Sequence, residues 1–270
     1  MKEKISAGTR EYTDLLLESA ELAALIVLES GGETSRAEEI AAIICKNGGS
    51  DEVQTIVLPT GSFITLNDES GRKLSSASRI RSRGVDLYKV ERANEYSREY
   101  CAGSISLSVL NEKLKALRAE RLYRASHTVL AAGASAAFFT LLFEAAFSFS
   151  VLFDIAVAFI ATVLSQLAGR SSRVKNTYQF TVTFISSIII ALISLSSVKL
   201  FGIGNLDCII VGSIMPLLPG LSLTNAIRDT VMGDIISGTV RIAETLMIAM
   251  GIAAGVGVVL IAYINFGGVL

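Results

Sequence analysis

The sequence predicts an α-helical integral membrane protein, with five transmembrane helices preceded by a soluble α+β cytoplasmic domain. Charge distribution is the first reason: of 49 Lys, Arg, Asp and Glu residues, 37 fall in the first 125 positions and 12 in the remaining 145. Span length is the second, since a bilayer core of roughly 30 Å takes about 20 apolar residues per helix. Charge-free stretches of that order occupy 125–143, 176–198, 208–227 and 245–270, and 145–169 is interrupted only by Asp154. The third is that the first 125 positions mix helical and strand-like patterning. A division follows, with residues 1–124 as the soluble domain and 125–270 as the membrane domain.

Residues 12–29 repeat apolar side chains at Leu15, Leu22, Leu25 and Ile26, which predicts a helix with one wet face. Gly31-Gly32 ends it, because glycine readily adopts the left-handed backbone of a C-terminal cap. A second helix starts at Thr34 or Ser35, where Ser35-Arg36-Ala37-Glu38 fits a capping box, and Gly48-Gly49 closes it. β-Branched runs at 53–58 and 62–67 flank a Pro59-Thr60-Gly61 turn, and 73–82 adds a third strand, giving a small antiparallel sheet. Arg79, Arg81 and Arg83 read as its solvated face, with contact to anionic lipid headgroups as the alternative. Two more helices follow at 87–101 and 105–124. The latter carries a stripe of Leu107, Leu110, Leu114, Leu117 and Leu122 and is expected to run into the first span.

Several chemistries lack their residues here. The soluble domain has no phosphate loop, no paired Cys/His site and no GxSxG. The three cysteines, Cys45, Cys101 and Cys208, lack metal-ligand spacing and read as reduced thiols. The single histidine, His127, falls at the entrance to the first span, so no histidine base serves the soluble domain. Glu33 and Thr34, after the glycine pair, are the one cluster there suggestive of chemistry, and a helix-turn-helix corner is the better explanation of them. No cofactor is implied, and a net charge of −1 gives no reason to expect nucleic acid.

The five spans are read at 126–143, 147–168, 178–198, 207–223 and 245–265. The N-terminal segment lacks the apolar stretch of a signal peptide, and the 169–175 loop carries Arg170, Arg173 and Lys175 against Lys199 alone near Gly202. The soluble domain is accordingly placed in the cytoplasm and the C-terminus outside. Gly251 and Gly255 are spaced for close helix packing.

Polar groups in the spans single out the candidate site. Asp154 lies within the second span, and a carboxylate there prefers a partner or a proton, which makes it a candidate for ion coupling. Snorkelling to the outer interface is the alternative. Glu144 reads as an interfacial charge, and Gln166 lies near the inner end of that span. The fourth span contains Pro216 and Pro219-Gly220, which break a helix. Freed backbone groups at that depth survive where they are buried in protein or line a wet cavity, and broken helices of this kind form substrate sites in transporters. Pro219, Gly220, Thr224, Asn225, Arg228 and Asp229 are therefore the substrate-binding candidates, and Asp234 and Glu244 join Asp154 for ion coupling. Arg228 is the carboxylate anchor of choice, since its planar fork can make two parallel hydrogen bonds. An amphipathic cytoplasmic connector with paired surface charges is the competing explanation.

Two segments resemble the threonine/serine exporter family. One is Ser30-Gly31-Gly32-Glu33-Thr34-Ser35-Arg36-Ala37-Glu38 with Leu58-Pro59-Thr60-Gly61; the other runs from Pro219-Gly220 through Asn225-Ala226-Ile227-Arg228-Asp229, Gly233-Asp234, Ser237-Gly238 and Arg241-Ile242-Ala243-Glu244. The resemblance implies a secondary exporter of small carboxylate-bearing metabolites, threonine and serine or succinate-like dicarboxylates. It also implies the larger chain of a split pair, with a second, small multi-span membrane subunit as partner and the lipid bilayer of a bacterial inner membrane as surroundings. The lack of a nucleotide-binding loop favours an ion gradient, expected to be protons, as the driving force. A membrane-tethered hydrolase, or a sensor or docking head on a membrane anchor, are the alternatives.

Overall fold

A computed structural model describes residues 9–50, 52–67, 71–80, 83–120, 123–144, 148–170 and 178–268. The chain divides into two compact units, Met1–Glu120 with Leu221–Ile242, and Arg121–Gly220 with Ala243–Leu270. Residues 221–242, read from sequence as part of the membrane half, thus make their contacts within the first unit.

The first unit is organised around α1 (Arg10–Glu29). Its segment from Leu22 to Leu28 is buried at every position, so the expected wet face is absent from that half. The reason is compositional: Leu22 to Leu28 contains no polar residue, and a helix apolar all round belongs inside. Packed about it are α2 (Thr34–Asn47), α3 (Leu87–Cys101), α4 (Leu107–Ala119) and one face of a three-stranded antiparallel sheet, β1 (Val53–Leu58), β2 (Gly61–Asn67) and β3 (Lys73–Arg79). The sheet contributes Val57, Ile64 and Leu66 to the core, where they join Leu16, Ile40, Ile44, Leu110 and Leu114. Cys45 lies in this core as a free thiol, and burial pushes it up to about 12, which keeps it protonated and unreactive.

Three local expectations are corrected. The capping box does not form, because the N-cap of α2 is Glu33 and Glu38 instead accepts the Val57 N–H at 2.9 Å, tying α2 to β1. The third strand stops at Arg79; Arg81 lies outside the described residues. Finally, α4 does not run into the first span. It ends at Ala119 and the chain turns extended at Glu120, while Lys89 Nζ caps the Arg118 carbonyl at 2.9 Å and the Arg118 guanidinium forks onto Glu29. Of the predicted leucine stripe, Leu122 lies outside the described residues.

The second unit contains α5 (Ala125–Phe143), α6 (Phe149–Gly169), α7 (Gln179–Phe201), the short α8 (Leu206–Ile214) with a 3-10 turn at Met215–Leu217, and most of α10 (Ile235–Asn265). Among the described residues, α5, α6, α7 and α10 are long and apolar enough to cross a membrane, and the chain is a multi-pass membrane protein. The expected fourth span is broken. Leu206–Leu217 has 12 residues, about 18 Å of helix, and after Pro219 it gives way to α9 (Gly220–Val231) at a 55° bend, so the count reaches five only if this bent pair is one span. Helix α10 begins ten residues before the expected start of its span, since charge marks where lipid ends and not where a helix does. Glycines set its packing: a Cβ at Gly255 would lie 2.6 Å from the Phe184 carbonyl, and one at Gly251 3.1 Å from that of Phe180.

Candidate functional site

The most concentrated polar structure in the first unit is built on the corner between α1 and α2. Gly31 has φ +83° and its missing Cβ would lie 2.9 Å from the Gly84 carbonyl; a Cβ on Gly32 would meet Val27 at 2.4 Å. Only glycine therefore fits at either place. The tight turn leaves the carbonyls of Gly31 and Gly32 as acceptors, and both are taken by side chains 194 and 209 residues later. Asn225 Nδ2 donates to Gly31 O at 2.8 Å, and an Arg241 terminal nitrogen donates to Gly32 O at 2.9 Å.

These donors come from a helical hairpin. Helix α9 ends at Val231, where Met232, Gly233 and Asp234 return their N–H groups to the carbonyls of Arg228, Thr230 and Asp229. Gly233 supplies the positive φ of +96°. Asp234 then caps α10 by accepting the Ser237 N–H at 3.0 Å. The two arms approach so closely that a Cβ on Gly238 would lie 2.9 Å from the Ala226 carbonyl. That approach brings Arg241 Nε to 3.1 Å from Asp229 Oδ2 in an ion pair whose side chains are 3% and 0% exposed. Thr34, the first residue of α2, lies beside Asp229, so this carboxylate stands near the positive end of the α2 dipole.

Arg228 lies on the same helix, three residues after Asn225, and pairs through one terminal nitrogen with Glu33; the two side chains are 53% and 26% exposed. Burial, assisted by Asp234 and Asp229, pushes Glu38 above the usual carboxylate range against the opposing hydrogen bond from Val57. The arrangement offers one solvent-reachable guanidinium, held in place by a buried polar scaffold and occupied by a carboxylate of the chain itself.

Of the substrate-binding candidates, Asn225, Arg228 and Asp229 converge on this corner, and Thr224 is exposed on the same helix. Pro219 and Gly220 fall at the break, within the second unit. The ion-coupling candidates are not assembled into one place. Asp234 is a helix cap in the first unit, and Glu244 is half-buried on the part of α10 that belongs to the second. Asp154, 1% exposed in α6, accepts the Asn205 N–H through both oxygens at 3.2 and 3.1 Å, with Glu144 beside it. Gly204, at φ +99°, is needed there, since its Cβ would collide with the Asp154 carboxylate.

Sequence reading missed the partners more than the candidates. Arg241 stood in the sequence only as one charge of the second motif, and nothing marked it as buried. The Gly31 and Gly32 carbonyls gave none, because a backbone acceptor has no residue type.

The sequence matches the family described as putative threonine/serine exporters (ThrE) over residues 18–263, a stretch that includes the corner, the hairpin and the four long apolar helices except the last two residues of α10. No curated protein and no solved structure matches the chain. The match covers most of the chain and both polar segments on which the site is built, and the chain belongs to the threonine/serine exporter family.

Proposed function

We propose that the chain is a subunit of a secondary exporter that moves small carboxylate-bearing metabolites, threonine and serine or succinate-like dicarboxylates, across the bacterial inner membrane, with a second small membrane subunit. In this reading the N-terminal domain faces the cytoplasm and the C-terminus the outside, as the basic 169–175 loop suggests. The observation that carries it is the Arg228–Glu33 pair, whose half-exposed guanidinium stands on a segment anchored by Asn225 and Arg241. A substrate carboxylate has the same geometry as the Glu33 carboxylate and exchanges with it at Arg228. Asn225 and Asp229 hold the helix in register, and Thr224 flanks the guanidinium on the exposed side. Pro219 and Gly220 provide the break that separates this segment from the preceding span.

Asp154 is the group we assign to ion coupling, because it is buried in an apolar helix and its hydrogen bonds come from a backbone amide instead of a cation. Asp234 and Glu244 are secondary candidates in that role. Efflux of labelled threonine, serine and succinate, compared between cells that carry the chain with its gene neighbours and cells that lack it, tests the reading. Faster efflux of at least one of the three is expected, and identical rates for all three would refute export.

A further inference from the structure

The α9–α10 hairpin has a second face. Asn225, Asp229, Ser237 and Arg241 are buried, whereas Ile227, Val231, Met232, Ile235 and Ile236 are each more than half exposed. Leu223 and Val240 extend this apolar face along the two arms. Apolar surface gathered in one place is costly in water and marks a contact site. Two observations say what it contacts. Along α10, exposed apolar residues recur at every third or fourth position, Ile236, Val240, Ala243, Met247 and Met250, in one stripe that continues to Ile261. The stripe thus runs from the hairpin along a helix apolar enough to cross a membrane. Ile236 to Ile261 is about 38 Å of helix, longer than a hydrocarbon core of about 30 Å and shorter than the roughly 40–45 Å that includes the headgroups. Its far end carries Tyr263 and Phe266, aromatic residues of the kind that settle at one interface, which puts the hairpin at the other. The turn also keeps its backbone donors to itself: the N–H groups of Met232, Gly233 and Asp234 go to carbonyls of α9, and that of Ser237 to the Asp234 carboxylate. A turn closed in this way can enter a medium that offers no hydrogen bonds.

We infer that the tip of this hairpin is a lipid-binding surface, an interfacial anchor whose apolar side sinks to the headgroup–acyl boundary while its polar side holds the α1–α2 corner through Asn225 and Arg241. Acyl chains are the ligand and no particular headgroup is selected, because the side chains of the exposed tip are uncharged. Arg228 follows Ile227 and so stands at the border between lipid and water. Anchoring of the tip does not depend on which solute the chain moves.

The test uses the full chain reconstituted in phosphatidylcholine vesicles, with its three cysteines replaced by alanine and a fluorophore placed through Val231→Cys, Met232→Cys or Ile236→Cys. Ser108→Cys, exposed on α4, is the reference for a position in water. Exchanging the lipid for one brominated in its acyl chains should dim the three tip probes on the order of twofold, as expected at a depth of about 5–10 Å, and leave the Ser108 probe unchanged. Aqueous iodide should do the reverse. Tip probes quenched by iodide as strongly as the Ser108 probe would overturn the anchor by placing the tip in water. Tip probes reached by neither agent would overturn it as well, by showing the tip covered with protein. The unaltered chain gives a second readout free of any substitution: a lipid with a photoreactive acyl chain should crosslink within 227–236. Crosslinks confined to other parts of the chain would equally refute lipid contact at the tip.

Discussion

Arg228 and Arg241 stand on the two arms of one hairpin and each faces a carboxylate, yet the pairs are opposites in surroundings. Arg241 and Asp229 are 3% and 0% exposed, and Arg241 also carries the Gly32 carbonyl. Arg228 and Glu33 are 53% and 26% exposed and have solvent at hand to replace either partner. Desolvation makes the first pair expensive to disturb, whereas exposed pairs are worth about 0 to 1 kcal/mol. The same ion-pair chemistry thus holds the fold together in one place and leaves a guanidinium exchangeable in the other.

The largest effect expected from this contrast is on stability. Arg241→Ala leaves Asp229 buried without its cation and the Gly32 carbonyl without its donor, a loss of about 3 to 5 kcal/mol. Thermal unfolding in detergent, followed by circular dichroism, should show a melting temperature lower by on the order of 10 °C. Adding Asp229→Asn removes the stranded charge and should restore part of the loss. A wild-type melting curve for Arg241→Ala would show that the buried pair does not hold the corner.

A smaller effect on folding and a larger one on transport are expected at Asp154. Asparagine keeps an oxygen for the Asn205 N–H and fits the space beside Gly204, so the melting temperature should change little. A carboxylate that carries a proton is irreplaceable in that role, so Asp154→Asn should abolish gradient-driven efflux while the protein level is preserved. Normal pH-dependent efflux from this variant would reduce Asp154 to a corner cap.

These predictions also mark how much of the molecule the sequence made legible. Strand β1 and helix α3 fall where patterning places them, because Val53–Leu58 and Leu87–Cys101 have clear periodicity and turn residues at both ends. The break at Pro219 was legible for a similar reason, since proline acts locally whatever surrounds it. The assignment of Leu221–Ile242 to the first unit was not legible: its mixture of Leu223, Ile227 and Ile236 with Arg228 and Asp234 is equally compatible with a membrane edge and with a protein surface. What decides is a set of contacts with residues 31–34, and two of these end on backbone carbonyls. Glu38 shows the same limit, because its capping-box spacing was present but the Val57 N–H competed for it and won.

The central claim is that Arg228 is kept for its fork and not for its charge alone. Efflux by Arg228→Lys and Arg228→Ala, measured at equal membrane expression, tests it most directly. Lysine preserves the charge and the chance of a surface pair with Glu33 but loses the two-pronged geometry. Both variants should melt within a few degrees of the unaltered chain, as the loss of an exposed pair allows. Both should nevertheless lose on the order of tenfold or more in export, as expected for removal of a bidentate charge-assisted contact worth at least ~1.5 kcal/mol. Near-normal export by both would contradict the account: Arg228–Glu33 would then be a surface ion pair, and the carboxylate would bind elsewhere.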